Sequence, residues 1–488
     1  MSRLSRFIFI TLASCGDSTA GTSGGSGSSS GVSSTGSTNL SGTGSSSGSE
    51  TGGAESSPST DAGSSTTAPT TGEPGTTTGD PSTGDMPPLE HFLLGMDVAD
   101  VSPNPAFIAG NNIYMGAYGA PYTRGPAQGV HDPIYARSFA VEGNGGGLIM
   151  SIVDLPGMGN QITREVRKQV AAKTGLDEAQ ILVSTTHSHS APDLMGLWGG
   201  VSGGYREFLV TTLTNSMTAA WTERTPGTLR VATEKAPANN RRGWGFTDDD
   251  MTVLDAFDLE QQRIGTVVVF AAHPVVLGED NKLISCDYPG YFVKDLEASL
   301  GAPVALFNGT LGDATPKVPD GDYADDFARA EAYGQLLASV AVELTTLTTE
   351  VEPELEFSHA EWVQTVDNVL FKAAALLGIL LFDFEMDGLD QKVTTQTTYF
   401  RFGRTVQGVS IPGEPLTRLG LAIKEQMQAP HKLVLGNTGD ALGYFVPSDE
   451  WQTGKNNNYE ESVSMGKTAG DTARDTVTPL IDAGNANL

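Results

Sequence analysis

Cysteine is almost absent: Cys15 and Cys286 are the only two in 488 residues. No disulfide framework is available to hold the chain together. Basic residues are scarce too. Lys and Arg total 29 against 58 Asp and Glu, a formal net charge of −29 with no basic block. That balance speaks against nucleic acid as a partner. Long apolar runs are missing as well, since a membrane-spanning helix needs about 20 such residues in a row.

What the chain has in excess is Gly, Ser and Thr, crowded into residues 16–88. This stretch has almost nothing apolar to bury against its chain entropy, so a disordered tether is expected, with an r.m.s. reach of roughly 45 Å. Before it stands MSRLSRFIFITLASC, with Arg3 and Arg6 ahead of the short apolar run Phe7–Ala13. The pattern reads as an export signal over residues 1–15. Leu12-Ala13-Ser14-Cys15 resembles a bacterial lipobox, in which the cysteine is lipidated. The expectation is an exported lipoprotein, anchored through Cys15 on the periplasmic or outer surface of a bacterial membrane.

Residues 89–488 have an ordinary composition and are long enough for one large catalytic domain. Apolar strands alternate with amphipathic stretches. Strands are expected at 147–155, 179–190, 228–236, 251–260, 263–273, 302–310, 397–414 and 431–447. Helices are expected at 160–175, 206–224, 288–301, 323–347 and 415–428. Such alternation argues for an α/β fold with mixed sheets flanked by helices. The apolar segment 369–384 reads either as a core helix or as a lip that touches lipid or an acyl chain.

Only seven histidines are present. His187 and His189 end the apolar run AQILVSTTHSHS; two residues apart on a strand, they share a face. His273 ends a second buried-looking strand, TVVVFAAH. Strand ends are where α/β folds place their sites, and imidazole is the commonest metal ligand. His273 also reads as a hydrogen-bonded core histidine. Glu414, in the stiff sequence Pro-Gly-Glu-Pro, and Asp313 are carboxylates on turns; either is a ligand or a helix cap. Asp287 and Tyr288 lie between His273 and a helix start. Cys286 reads as a small buried hydrophobe. Catalytic zinc takes about three protein ligands and an open position, and His187, His273 and Glu414 would be such a set.

Ordered blocks along residues 94–470 make the chain resemble the neutral, non-lysosomal ceramidase family. They are LGMDVADVSP, MGAYGAP, GVHDPIYARSFAV, ILVSTTHSHSAPD, ANNRRGWG, AAHPVVLGEDNKLISCDYPGY, FNGTLGDATP, PGEPLTRLG, GNTGDALGYFVPSDEW and NYEESVSMG. The resemblance implies a catalytic zinc held by His187, His273, Glu414 and Tyr444. It places His189 near the substrate carbonyl, and Arg241, Tyr459 and Thr315 around the substrate. Thr315 stands where the family has serine. The family's C-terminal immunoglobulin-like domain is expected to be absent. The implied reaction is hydrolysis of the amide of an N-acyl sphingoid lipid. Two alternatives stand beside it: a zinc amidase or esterase on another lipid or small substrate, and a non-catalytic surface binding protein.

Overall fold

A computed structural model describes residues 88–488, apart from 111, 120–121, 388–389 and 454–458. The expected signal, Cys15 and the tether up to residue 87 lie outside the described residues.

The larger sheet has nine strands: β1 (Phe92–Asp100), β2 (Tyr135–Gly143), β3 (Gly146–Val153), β4 (Ile181–Thr185), β5 (Thr225–Lys235), β6 (Asp250–Asp258), β7 (Arg263–Phe270), β8 (Val304–Asn308) and β9 (Thr349–Val351). Their order is β8-β7-β6-β5-β1-β2-β3-β4, with β9 also on β5. The pairs at the two ends, β8–β7 and β3–β4, are parallel, and the others are antiparallel. A second, five-stranded sheet holds β10 (Leu355–Val366), β11 (Phe384–Asp387), β12 (Asp390–Phe402), β13 (Val406–Ser410) and β14 (His431–Leu435).

Strand periodicity explains how these sheets stack. Leu148, Met150 and Ile152 of β3 join one cluster, where Phe400, Phe402, Leu433 and Leu435 of the second sheet meet them. Their neighbours Ile149 and Val153 face the other way, towards helices α1 (Asn160–Thr174) and α2 (Gly203–Thr222). Helices α3 (Tyr288–Leu300) and α4 (Asp326–Thr345) cover Val268, Phe270 and Leu306 on that same face. The far side of the second sheet packs on α6 (Thr417–Gln426) and α8 (Ala469–Asn485), with α5 (Val369–Leu376) and α7 (Tyr459–Ser462) nearby in the chain. The order is helix, sheet, sheet, helix. Buried on both faces, β4 can be apolar and β-branched along nearly its whole length. Gly175 ends α1 at φ 79, a left-handed cap that returns its N–H to Ala171 O.

Among the longer elements, three strands and a helix fall outside those expected. β1 and β2 carry Gly, Asp, Arg and Glu among their apolar residues, and β10 reads LEFSHAEWVQTV; pairing with neighbours makes them strands. α8 contains Pro479, a helix breaker by sequence rule, yet buries Val477, Leu480 and Ile481. Segment 369–384 is helical over Val369–Leu376 and divides between core and surface. Phe371, Ala374, Leu380 and Phe382 are buried in the core, whereas Val369 and Leu376 are about 70% exposed (72% and 70%).

Candidate metal centre

His187 follows β4, at one end of the large sheet, and His273 follows β7, next to the strand β8 at the other end. The two ends meet at their carboxyl termini, where Asn308 of β8 donates from Nδ2 to Thr185 O of β4 at 3.0 Å. The imidazole rings consequently lie 4.9 Å apart, centroid to centroid. Glu414 and Tyr444 arrive by another route. Glu414–Pro415 pairs in parallel with Tyr444–Phe445, and Glu414 stands directly beside Tyr444.

The reacting atoms of these side chains share one small space. Glu414 Oε2 lies 3.3 Å from His187 Nε2 and 3.1 Å from His273 Nε2. Tyr444 Oη is 3.2 Å from His273 Nε2. His189 Nε2 is 3.1 Å from His187 Nε2. All five side chains are buried. The Nδ1 atoms of His187 and His273 face the carbonyls of Pro156 (2.5 Å) and Leu311 (2.7 Å). An Nδ1–H donated there leaves each Nε2 with a lone pair, aimed at a carboxylate oxygen. Lone pairs facing a carboxylate repel unless a cation or proton lies between them.

The electrostatics agree. Burial pushes the Glu414 carboxyl up, but His187 and His273 outweigh it and hold it well below the usual carboxylate range. Burial pushes His273 down, against the opposing bond to Glu414. Burial, then His187 and His273, push His189 well down. An anionic carboxylate facing the nitrogens of two imidazoles is suited to a cation. Ligands at about 2.0–2.1 Å from a tetrahedral ion lie roughly 3.3 Å from one another, close to the spacings given above. The three histidines alone offer donor atoms within 4.8 Å of one another. The donor set fits a metal ion.

Around this cluster stand the other expected residues. Arg241 Nε donates to Glu460 Oε1 (2.7 Å) and Nη2 to Gly312 O (3.1 Å). Its guanidinium lies over the rings of Tyr444 (5.3 Å) and Tyr459 (5.1 Å). Glu460 also binds Arg242 at 3.0 Å, so two arginines share one buried carboxylate. Thr315 is half-buried on a short strand, Ala314–Pro316, paired with Ala238–Asn240, which sets it opposite Asn239. Its neighbour Ala314 accepts the backbone N–H of His273 (3.0 Å).

Other candidates take supporting places. Asp313 accepts from Thr417 N–H and Oγ1 (both 2.7 Å) and Asn240 Nδ2 (2.6 Å), away from the imidazoles. Asp287 caps α3. Tyr288 donates from Oη to Ala272 O (2.7 Å), bracing the residue before His273. Cys286 is buried as expected, and its thiol also lies 3.1 Å from Asp154 Oδ2. Sequence reasoning passed over Arg124, which is buried and donates from Nη1 to Gly116 O and His189 O (2.7 and 2.5 Å). It also passed over Tyr118, whose ring meets His189 edge-on at 4.8 Å. A lone arginine in GAPYTRGPA carries no spacing that marks it.

Mixed sheets converging on a buried His-His-His-Glu-Tyr cluster define an α/β protein with a candidate metal centre, and comparison with known proteins narrows that class. The family model described as neutral/alkaline non-lysosomal ceramidase, N-terminal, matches residues 92–332. The chain resembles that family over this stretch, just under half of its length. It is similar to the neutral ceramidase of Drosophila melanogaster, 25% identical over 264 residues, which is 46% of this chain and 38% of that protein. The neutral ceramidase of Drosophila pseudoobscura pseudoobscura is 26% identical over 232 residues, covering 39% of this chain and 32% of that one. The matched stretch thus spans well under half of each curated relative. The crystal structure of neutral ceramidase from Pseudomonas aeruginosa shares the fold with a TM-score of 0.69 at 18% identity, over 82% of this chain and 75% of that one. A ceramidase complexed with C2 does so with a TM-score of 0.68 at 17% identity, over 82% and 76%.

Proposed function

We propose that this chain is a zinc-dependent hydrolase that cleaves the amide bond of an N-acyl sphingoid lipid, releasing a fatty acid and an amine. The observation that carries the reading is the buried cluster in which two imidazole lone pairs converge on one carboxylate oxygen. The family match supports the substrate class, as do relatives named as ceramidases.

His187, His273, Glu414 and Tyr444 would hold the ion. When bound, zinc lowers the pKa of a coordinated water towards about 7 and polarises a carbonyl. The chain's own residues do the rest. His189, neutral and fixed by Tyr118 and Arg124, takes a proton from water and returns it to the leaving nitrogen. Addition of water across the C–N bond then balances: hydroxyl to the acyl carbon, hydrogen to the amine. Arg241, held by Glu460 over Tyr444 and Tyr459, provides fixed positive charge towards the oxygen that becomes negative. Thr315 and Tyr459 orient the substrate.

Metal analysis of the purified protein, together with hydrolysis of a fluorescent N-acyl sphingosine, tests this. The expected result is near-stoichiometric zinc and turnover in the wild type, both lost in Glu414→Ala. Zinc with turnover of other amides only would replace the substrate. No zinc in the wild type would leave a binding protein.

A further inference from the structure

The stretch Gly436–Gly439 follows β14 and supplies none of the clustered donors, yet it is bonded to three of the chain ends that build the site. Gly436 N–H donates to Asn308 O at the end of β8 (3.0 Å). Asn437 N–H donates to Gly413 O (2.6 Å), on the residue before Glu414. Asn437 O accepts from Thr185 N–H (3.2 Å), two residues before His187. Thr438 N–H reaches Ile411 O (3.0 Å), and Gly439 N–H reaches Val183 O (2.8 Å). The hydroxyls of Thr438 and Ser184 lie 2.8 Å apart. The turn covers the edge of β4 and fastens the two sheets where one carries His187 and the other leads to Glu414.

These bonds require Asn437 in the left-handed region, at φ 47. Gly and Asn enter that region readily; β-branched residues do not. A Cβ on Gly436 would meet Gly309 O at 2.5 Å, so the chain has no slack there. Asn437 is 3% exposed, and neither of its side-chain amide atoms has a partner among the described residues. Its backbone, not its amide, makes the contacts.

We propose that Asn437 is a positioning residue of the metal centre: its left-handed backbone sets the spacing between His187 and Glu414. The inference rests on the metal reading above. Metal ligands tolerate only about ±0.2 Å of misplacement, and loss of a partner that orients them costs about 10–100-fold in affinity.

The test is the zinc affinity of the full chain, measured by competition with a chromophoric chelator, with melting temperature as the control for folding. A wild type that binds no zinc overturns the metal reading itself, before any variant is made. Asn437→Gly keeps the backbone conformation and is expected to bind zinc nearly as well as the wild type. Asn437→Val must leave the left-handed region and is expected to bind about 10–100-fold more weakly. Thr438→Val keeps its shape and loses only the hydroxyl beside Ser184; a smaller loss in the same direction is expected, and it serves if Asn437→Val does not fold. Wild-type affinity in folded Asn437→Val, or in Thr438→Val where Asn437→Val does not fold, overturns the proposal. Equal losses in Asn437→Gly and Asn437→Val also overturn it, by moving the role to the side chain.

Discussion

His187 sits at φ 65, a conformation that few residues other than glycine adopt. The strand has already ended at Thr185, so the two-residue alternation of a strand does not carry through to His189. The two imidazoles still reach one space, with ring centroids 4.7 Å apart, because the loop turns. Their roles separate by surroundings. His187 has Nδ1 on Pro156 O and Nε2 near Glu414; His189 Nδ1 is buried with no partner among the described residues. His189→Ala is therefore expected to retain zinc and lose about 10²–10⁴-fold in kcat, the usual worth of a positioned acid–base group. Metal content and single-turnover rates check it; zinc lost with the imidazole would make His189 a ligand.

Among elements, α3 shows how support is arranged behind the site. Asp287 accepts from Tyr288 N–H (2.6 Å) and from Leu277 N–H (3.0 Å), tying the start of α3 to the loop after His273. Burial pushes its carboxyl up to about 6 from 3.8, while those N–H groups pull the other way. The folded chain thus keeps a proton that the unfolded chain has released. This group's contribution to stability is complete below about pH 4 and lost as pH rises through about 6. Asp287→Asn carries no such charge. Its stability relative to the wild type should rise by roughly 3 kcal/mol across that window. Urea unfolding of both proteins at the two ends of the range measures this, and a constant difference would refute it. The short ladder Glu414–Pro415 with Tyr444–Phe445 has a different purpose: a shift of one residue in its register would part carboxylate from phenol.

For the whole molecule, the proposed ligands come from four stretches between residues 187 and 444: two loops that follow strands of the large sheet, and the separate two-stranded ladder of Glu414–Pro415 with Tyr444–Phe445. An unfolded chain cannot gather them, so on the proposed reading zinc binding would be linked to folding. At a free concentration a thousandfold above Kd the gain is about 4 kcal/mol. Chelation should lower the calorimetric melting temperature of the wild type and leave Glu414→Ala unmoved; equal shifts in both would show chelator effects unrelated to this centre.

Much of this was legible in advance. The strands leading to His187 and His273 announced themselves by apolar runs followed by imidazole, and helices α1 to α4 by their spacing. The pairing of Arg241 and Arg242 with Glu460 was not, because the partners are more than 200 residues apart and no periodicity links them. Nor was the turn at Asn437, since Gly-Asn-Thr-Gly marks a bend but not what the bend holds. The sequence by itself determined the donor types, the stiff Pro-Gly-Glu-Pro turn and the burial of β4. Only the tertiary structure decided that the two ends of one sheet meet and that a turn from the other fastens them. Hydrophobic periodicity specifies which face of an element is buried. Which strand ends come together depends on backbone bonds between residues far apart in the chain, and local composition does not encode those.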